Sequence, residues 1–319
     1  MELKREYIVL SIIIVVLLGV FVWVSFTKSA GVIRYKLPTV AGLDKESIDK
    51  MVFESRERSI TMMKTEDGGW VIMPDRFPAD PSKTGSMLSA IAGLRITELI
   101  SKQQAYDRYD LDNDGRMELT AYSGENVVRN FYIGKTSSTS SHTYVTLSGD
   151  PNIYGAQGDL RTLFDKEVDE LRDKEIMSFN RQEISEIVLE TKGETVIITK
   201  EMRTPQGAEE GAAPEEVWMA NVSTVPVPEN TINDILGTMS GLVCEEFIKD
   251  AAKAEYEEKT PMYRITARGN KDYVLTIFDH PGDNKYPAYS SVSDYPFLLI
   301  GWKTTRMMKD LDEIATEGE

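Results

Sequence analysis

The sequence has little of the residues that build disulfide frameworks and metal centres. Cys244 is its only cysteine, and its two histidines, His142 and His280, lie far apart in the chain. These counts exclude a disulfide within the chain, a cysteine-rich zinc site and a multi-histidine metal centre. We therefore expect no cofactor and no metal, and we expect Cys244 to be buried as a small apolar residue.

Positive charge is also scarce. The 319 residues include 36 lysines and arginines against 52 aspartates and glutamates, which gives a formal net charge of -16. Such a chain repels phosphate backbones, and it contains no concentrated basic patch that would offset the repulsion. Nucleic acid is therefore not an expected partner. A hydrophobic fraction of 41% is enough to build cores, which excludes disorder throughout the chain.

A long apolar run stands near the N-terminus. Residues 8–26 read IVLSIIIVVLLGVFVWVSF and carry no charge. As a helix rising about 1.5 Å per residue, this run spans roughly 28 Å, close to the hydrocarbon thickness of a bilayer. A cleaved signal peptide is the alternative, but its apolar region is shorter, about 7 to 15 residues, and Lys28 stands where a small residue is wanted. We predict a cytoplasmic tail at 1–7 and a transmembrane helix at 8–27.

The orientation of this helix does not follow from charge. Lys4 and Arg5 precede the apolar run, whereas Lys28, Arg34 and Lys36 follow it, so the two flanks nearly balance. The short N-terminal flank and the long following domain are typical of a signal anchor, with the N-terminus in the cytoplasm and the rest exported.

The rest of the chain repeats itself at a spacing of 148 residues, as from Trp70 to Trp218. Further identical pairs follow without a gap: Pro78 and Pro226, Leu88 and Leu236, Gly93 and Gly241, Leu94 and Leu242, Glu98 and Glu246, Ile100 and Ile248. Such regular self-similarity indicates a duplicated unit. Each copy reads as strands, a helix and further short strands.

From this pattern we predict an α+β protein in which two tandem related lobes follow the transmembrane helix. Each lobe is a mainly antiparallel β-sheet with a packed helix. The lobes are expected at 45–173 and 174–312, after a linker at 28–44 and before a tail at 313–319. In the second lobe, residues 202–216 are rich in alanine, glycine, proline and glutamate, and we interpret them as a mobile hairpin insertion.

The helix of each lobe has a clear signature. Asp80 with Pro81 predicts an N-cap followed by the first helical residue, and Glu229 with Asn230 starts the matching helix. Apolar residues then recur at helical spacing and predict the core-facing sides: Met87, Leu88, Ile91 and Leu94 in the first helix, and Ile232, Ile235, Leu236, Met239 and Leu242 in the second.

An acidic segment resembles part of a calcium loop. Asp110, Asp112, Asp114 and Gly115 match its first half, and Glu118 stands at position 9. Position 12, however, is Ala121, so the bidentate glutamate that binds most strongly is absent. We interpret the segment as a polar turn that leads into a strand.

A motif that resembles a phosphate loop is also incomplete. Gly134-Lys135-Thr136 resembles the end of a phosphate loop, but Arg129 stands where the earlier glycine is required, and a serine- and threonine-rich turn at 136–141 between two strands is the better interpretation.

The sequence also contains the residue types of a hydrolytic triad. Ser140, His142 and Asp150 can be combined into one, yet no GxSxG-type segment is present. His280 lies in a proline- and glycine-containing turn with Asp279 and Asp283. We name no catalytic, cofactor-binding or metal-ligating residue, and we predict that the protein is not an enzyme.

Several short motifs occur in a characteristic order between about residue 45 and residue 310: Trp70 in GWVIM, Phe77-Pro78-Ala79-Asp80, Tyr109-Asp110-Leu111, Phe131-Tyr132-Ile133-Gly134, Tyr144 and Leu171-Arg172-Asp173-Lys174. In this order they resemble the bacterial family called domain of unknown function 4340. The resemblance implies one N-terminal transmembrane helix and an exported duplicated domain, encoded beside ABC-2-type transporter subunits and gliding-motility-type auxiliary proteins. It implies no catalytic residues, and it explains Asp110 and Gly134 as positions that the fold requires.

The expected function is therefore that of a non-catalytic accessory or scaffold protein of an envelope ABC-2-type transporter complex. The expected location is the bacterial inner membrane, with the duplicated domain in the periplasm. Its expected partners are the permease and auxiliary subunits of the transporter and the lipid of that membrane. The alternative is a periplasmic ligand-binding module for an envelope glycan, lipid or peptide, and a third possibility is an envelope hydrolase that uses His142 or His280. The oligomeric state does not follow from the sequence.

Overall fold

The computed structural model of the chain describes residues 3–29, 37–204, 213–249, 252–279, 284–310 and 314. The His280 turn, the centre of the expected insertion and most of the expected tail lie outside these residues. From the N-terminus the elements are α1 (Leu3–Ser29), β1 (Lys50–Glu54), β2 (Ser59–Lys64), β3 (Trp70–Met73), β4 (Phe77–Pro78), α2 (Pro81–Ala92), β5 (Ile96–Ser101), β6 (Met117–Ser123), β7 (Asn126–Thr136), β8 (His142–Leu147), β9 (Ile153–Gln157) and α3 (Leu160–Phe164).

The remaining elements follow in the same alternation of strands and short helices. They are α4 (Val168–Leu171), β10 (Glu175–Ser178), β11 (Glu186–Glu190), β12 (Thr195–Arg203), β13 (Glu215–Ala220), α5 (Glu229–Met239), β14 (Gly241–Val243), β15 (Glu246–Phe247), α6 (Lys253–Glu257), β16 (Tyr263–Arg268), β17 (Asp272–Ile277), β18 (Lys285–Ser290), β19 (Phe297–Ile300) and α7 (Gly301–Met307).

Helix α1 contains the long apolar run. Among the residues that the structure describes, none of the helices combines the length and the apolar character that a membrane crossing requires. The structure therefore does not support the transmembrane helix that we expected at 8–27.

The chain divides into two compact units. Unit one comprises Met1–Ser59 and Leu88–Phe164, and unit two comprises Ile60–Met87 and Asp165–Glu319. In unit one, antiparallel strands pair in the order β1-β6-β7-β8-β9-β5. In unit two, β4, β3 and β2 pair in that order, β10 pairs with β14, and a larger sheet has the order β13-β12-β11-β16-β17-β18-β19-β15. The predicted α+β class with mainly antiparallel sheets is confirmed.

The sequence repeat coincides with repeated backbone contacts. The strand order β1-β6-β7-β8-β9-β5 in the first half corresponds to β11-β16-β17-β18-β19-β15 in the second. Individual contacts also recur at the same spacing of 148 residues. Val71 pairs with Pro78 in the first copy, and Met219 pairs with Pro226 in the second. The N–H of Ala79 donates to the carbonyl of Trp70, as that of Val227 does to the carbonyl of Trp218, and the two helices begin at Pro81 and Glu229. The repeat read from the sequence thus places equivalent residues in equivalent strands.

The two predicted helix faces pack as expected. In α2, Met87 and Ile91 are fully buried, Leu94 just beyond its end is buried, and Leu88 is half-buried. The whole stripe predicted for α5 is buried, namely Ile232, Ile235, Leu236, Met239 and Leu242. Each such side chain contributes roughly 1.5 to 3 kcal/mol of hydrophobic stabilisation. The α5 stripe belongs to the hydrophobic core that the strands of unit two also form.

The expected insertion separates two paired strands. The two ends of the expected insertion at 202–216 lie in these strands, β12 and β13, because Met202 pairs with Glu216 and Arg203 with Glu215. Residues 205–212 at its centre lie outside the described residues, and their expected mobility stays a prediction.

Asp80 caps α2, as predicted. Its carboxylate accepts hydrogen bonds from the backbone N–H of Ser82 at 2.9 Å and of Lys83 at 3.1 Å. Burial raises the pKa of the Asp80 carboxyl, but the hydrogen bonds from Lys83 and Ser82 lower it by more, so that its pKa lies below the usual value. The charge-dependent part of this stabilisation is therefore present only while the carboxylate is ionised.

We expect Asp80→Ala to lower the free energy of unfolding by about 1 kcal/mol at neutral pH, because two N–H groups lose their acceptor. Since folding depresses the pKa, the charge-dependent part of this contribution is present above the unfolded pKa and disappears as the pH falls through the folded pKa. Urea unfolding at pH 7 and at about pH 3 measures both effects. Asp80→Asn is the control, because its amide oxygen caps the helix at either pH. Equal stability of wild type and Asp80→Ala at pH 7 would contradict the assignment.

Candidate functional site

Arg172 lies in a short antiparallel contact within unit two. It follows α4, and its backbone N–H donates to the carbonyl of Val168 at 3.1 Å. It forms a β-bridge with Ala79, while Asp80 N–H donates to the carbonyl of Leu171 and Asp173 N–H to that of Pro78. These backbone bonds fix residues 171–173 against the end of β4 and so set the direction of the Arg172 side chain.

Three aromatic rings enclose the Arg172 guanidinium. Its central carbon lies 3.5 Å from the ring centroid of Phe247, 3.9 Å from that of Phe77 and 4.8 Å from that of Tyr295. The Phe77 and Tyr295 rings also meet edge to face, with centroids 5.2 Å apart. Because only 8% of Arg172 is exposed, these cation–π contacts act in a desolvated setting, where each is worth about 2 kcal/mol. The rings hold the guanidinium plane in one orientation.

The guanidinium has unused hydrogen-bonding capacity. Within the described part of the chain, neither Nε nor Nη2 of Arg172 has a hydrogen-bond partner. Burial lowers the pKa of Arg172, whereas the charges of Asp169 and Asp75 act in the opposite direction. Arginine nevertheless stays protonated in proteins, so a buried cation with unsatisfied donors remains. Native proteins rarely leave such groups unpaired, and each one calls for a ligand, an ion or a water.

Arg172 lines two cavities. The larger has a volume of about 520 Å³, which lies within the range of roughly 300 to 1,000 Å³ that is typical of small-ligand sites. It is lined by Asp75, Phe77, Glu167, Val168, Asp169, Arg172, Ile248, Lys249, Ala252 and Tyr295. The smaller measures about 320 Å³, and its charged lining residues besides Arg172 are Asp173, Glu175 and Asp294. A single buried cation thus faces cavities with several carboxylates at their walls.

The structure pairs His142 differently from the triad considered on the sequence. Ser141 Oγ lies 3.2 Å from His142 Nδ1, and Glu98 Oε1 lies 3.5 Å from His142 Nε2. Asp150 is engaged elsewhere, because it accepts hydrogen bonds from Tyr154 and Asn152. The structure therefore does not form the triad of Ser140, His142 and Asp150 that the sequence already disfavoured. His142 belongs to a Ser141–His142–Glu98 cluster in unit one.

The acidic segment that resembles a calcium loop has separate partners for its carboxylates. Asp112 accepts the N–H of Gly115 at 2.9 Å, and Asp114 forms an ion pair with Arg56 at 2.9 Å. Over the described residues, no group of three or more histidine, cysteine, aspartate or glutamate side chains is placed to hold a metal ion. The segment is a polar turn that precedes β6, as the sequence favoured.

Gly134 is a strand residue rather than part of a phosphate loop. It lies in β7, and a Cβ atom there would collide with the carbonyl oxygen of Tyr109 and approach Cγ of Leu111 to 2.8 Å. The close backbone approach therefore requires glycine at this position. The following turn connects β7 to β8, as predicted.

Cys244 is buried, as expected from its type. Burial raises the pKa of its thiol to about 12, so the reactive thiolate is scarce at neutral pH. We expect iodoacetamide to alkylate folded protein at pH 8 roughly 10³-fold more slowly than an exposed thiol of pKa about 8.5. Mass spectrometry of samples labelled with and without urea measures this ratio, because unfolding should restore ordinary reactivity. Rapid alkylation of the folded chain would contradict the described burial.

Comparison with known proteins gives a match to one family model. The model, described as "Domain of unknown function (DUF4340)", matches residues 70–261. This range contains Phe77, Arg172 and Phe247 of the aromatic enclosure. No curated protein and no solved structure matches the chain.

Proposed function

Since the chain belongs to the family called domain of unknown function 4340, we propose that it is a non-catalytic accessory or scaffold protein of an envelope ABC-2-type transporter complex. In this proposal, α1 anchors it in the bacterial inner membrane with the N-terminus in the cytoplasm. The rest of the chain lies in the periplasm and contacts the permease and auxiliary subunits.

The observation that carries this proposal is the exposed apolar surface of α1. Between residues 13 and 24, large apolar side chains are exposed around the whole helix, including Val15 at 67%, Leu17 at 62% and Phe21 at 70%. Folded chains rarely leave so much contiguous apolar surface in water, and such a surface marks a membrane or protein contact. The described part of α1 does not by itself meet the requirements of a membrane crossing. The full run at 8–26 in the sequence, however, carries no charge and as a helix has the length of a bilayer core, so lipid is the contact that we propose.

The repeated fold supports the scaffold part of the proposal. The matching strand orders and backbone contacts favour two tandem related lobes, at 45–173 and 174–312. Duplicated sheets present two similar sets of edge strands, and edge strands are ready-made surfaces for pairing with another chain. A periplasmic body of this kind suits contact with several subunits.

Affinity purification from native membranes tests the proposal. The tagged protein, extracted in mild detergent, should recover permease and ATPase subunits of an ABC transporter, and protease added to spheroplasts should digest the body that follows α1. A variant without residues 8–27 is the matched control and should recover fewer subunits. Repeated purifications without any transporter subunit would count against the scaffold, and a protease-resistant body would count against the topology.

The second candidate function is that of a periplasmic ligand-binding module. The Arg172 enclosure favours it, because Arg172 is a buried cation with unpaired donors and the residue lines a cavity of about 520 Å³, a size suited to a small molecule. A saturable ligand would distinguish this candidate from a pure scaffold.

A further inference from the structure

We propose that Arg172 binds the carboxylate of a zwitterionic amino acid or short peptide in the cavity of about 520 Å³. This inference rests on the second candidate function and names the class of its ligand. It combines three observations: the free edge of the guanidinium, the rings that hold it, and the carboxylates around the cavity.

The unpaired atoms of Arg172 form one edge of the guanidinium. Nε and Nη2 carry parallel N–H bonds, and a carboxylate accepts from both at once, which gives the strongest and most directional arginine contact. The same chain shows the use of this edge, because Nε and Nη2 of Arg306 both donate to Asp234, at 3.1 and 2.8 Å. In the described residues, Arg172 lacks the counterpart of Asp234, and a ligand carboxylate supplies it.

The aromatic rings prepare this edge for binding. The central carbon of the guanidinium lies 3.9 Å from the ring centroid of Phe77 and 3.5 Å from that of Phe247, so the guanidinium plane is fixed before a ligand arrives. A fixed plane reduces the side-chain entropy that binding would otherwise remove. A buried position also strengthens the ion pair relative to one in water.

The charges of the cavity indicate a zwitterion rather than a simple anion. Asp75, Glu167 and Asp169 line the same cavity as Arg172, and Lys249 is the other lining cation. Asp169 is paired with Lys174 at 3.2 Å, so it is partly neutralised. The lining still has three acidic groups against two basic groups, which disfavours phosphate or another dianion. An ammonium group on the ligand is attracted to these carboxylates, and the exposed Asp75 is one that it can reach.

The test is isothermal titration calorimetry on the full-length protein in detergent with trialanine as the probe. We expect saturable binding, at least tenfold weaker for trialanine amide, which lacks the carboxylate, and weaker for N-acetyl-trialanine, which lacks the ammonium group. Free alanine shows whether a single amino acid suffices, and inorganic phosphate should not bind. No saturable binding of either trialanine or alanine overturns the proposal, as does equal binding of trialanine and its amide.

Two variants test the role of Arg172. Arg172→Met keeps apolar contact with the rings. It loses the cation–π contacts but also removes the cost of burying a charge with unpaired donors, and because these two effects oppose each other we expect a melting temperature close to that of wild type. We expect at least a tenfold loss of trialanine affinity. Asp75→Asn, at an exposed position, should fold normally and should abolish the preference for trialanine over its N-acetyl form. Unchanged affinity in Arg172→Met, or an unchanged preference in Asp75→Asn, overturns the proposal.

Arg129 provides a matched control in unit one. It is a half-buried arginine with an unpartnered Nε among the described residues, but its Nη2 donates to the carbonyl of Ala41 at 2.8 Å. Arg129→Met should therefore melt at a lower temperature and still bind trialanine. The scaffold is tested separately, because transporter subunits should co-purify with Arg172→Met as they do with the wild type. A lower melting temperature for Arg172→Met as well would identify Arg172 as a packing residue and overturn the inference.

Discussion

Replacing Gly134 with alanine is expected to lower the free energy of unfolding by about 3 kcal/mol or more, because a methyl group has no room there. Its Cβ would collide with the carbonyl oxygen of Tyr109 and lie 2.8 Å from Cγ of the buried Leu111. A backbone oxygen cannot rotate away as a flexible side chain can, so β7 or the turn at Tyr109 has to shift. The midpoint of urea unfolding, with the slope of the transition, measures the loss.

Gly85→Ala is the matched control for this substitution. Gly85 lies within α2, and a Cβ atom there would meet nothing within 4 Å. Alanine in a helix interior is more favourable than glycine by roughly 0.5 to 1 kcal/mol, so this variant should be slightly more stable than wild type. If Gly134→Ala unfolded at the same urea concentration as wild type, the close approach of β7 to Tyr109 would be wrong.

Placing two arginines in α1, with Val16→Arg and Val20→Arg together, is expected to release the protein from membranes. Both valines are exposed near the middle of the apolar run. An arginine at the centre of an inserted helix costs about 2.5 to 3.5 kcal/mol on insertion scales, so two should reduce membrane partition by more than about 10³-fold. Carbonate extraction followed by blotting of the pellet and supernatant measures the change.

The control for the arginine variant is Val127→Arg. Val127 is an exposed valine in β7, at 56% exposure, and it is not part of the apolar run. This variant should behave as wild type in the extraction. If the doubly charged α1 stayed in the carbonate-resistant pellet, the membrane-anchoring role that we propose for α1 would be wrong.

The parts of the fold that depend on local spacing could be predicted from the sequence. Helix α5 begins at Glu229 and buries its whole predicted stripe, because apolar residues three and four apart share one face. Asp80 caps α2 for an equally local reason. The repeat could be aligned because copies of one structural unit retain the residues that their shared contacts need, as Trp70 and Trp218 show.

The candidate site could not be predicted in this way. The rings around Arg172 come from Phe77, Phe247 and Tyr295, which only long-range folding brings together. The sequence indicated Arg172 only as part of a short family motif, without its surroundings.

The His142 cluster could not be predicted from the sequence either, because residues distant in the chain form it. Nearness in sequence suggested Ser140 and Asp150, whereas the register of β8, β9 and β5 brings in Glu98. Gly155 pairs with Tyr144 on one side and with Glu98 on the other. Strand register of this kind is set by the whole sheet, so a reading of neighbouring residues does not reveal it.

The contact between β4 and the Arg172 segment constrains the order in which the protein can be made and folded. Lys83 donates to the carbonyl of Glu170, 87 residues further along the chain, and the backbone bonds of Pro78 and Asp80 cross a similar separation. During synthesis from the N-terminus, at about 5 to 20 residues per second, residues 170–173 emerge several seconds after β4. A nascent chain can therefore pair β4 with the preceding strand β3 at once, but the edge of β4 that contacts residues 171–173 stays exposed until they follow, and we expect chaperones to bind at that edge first.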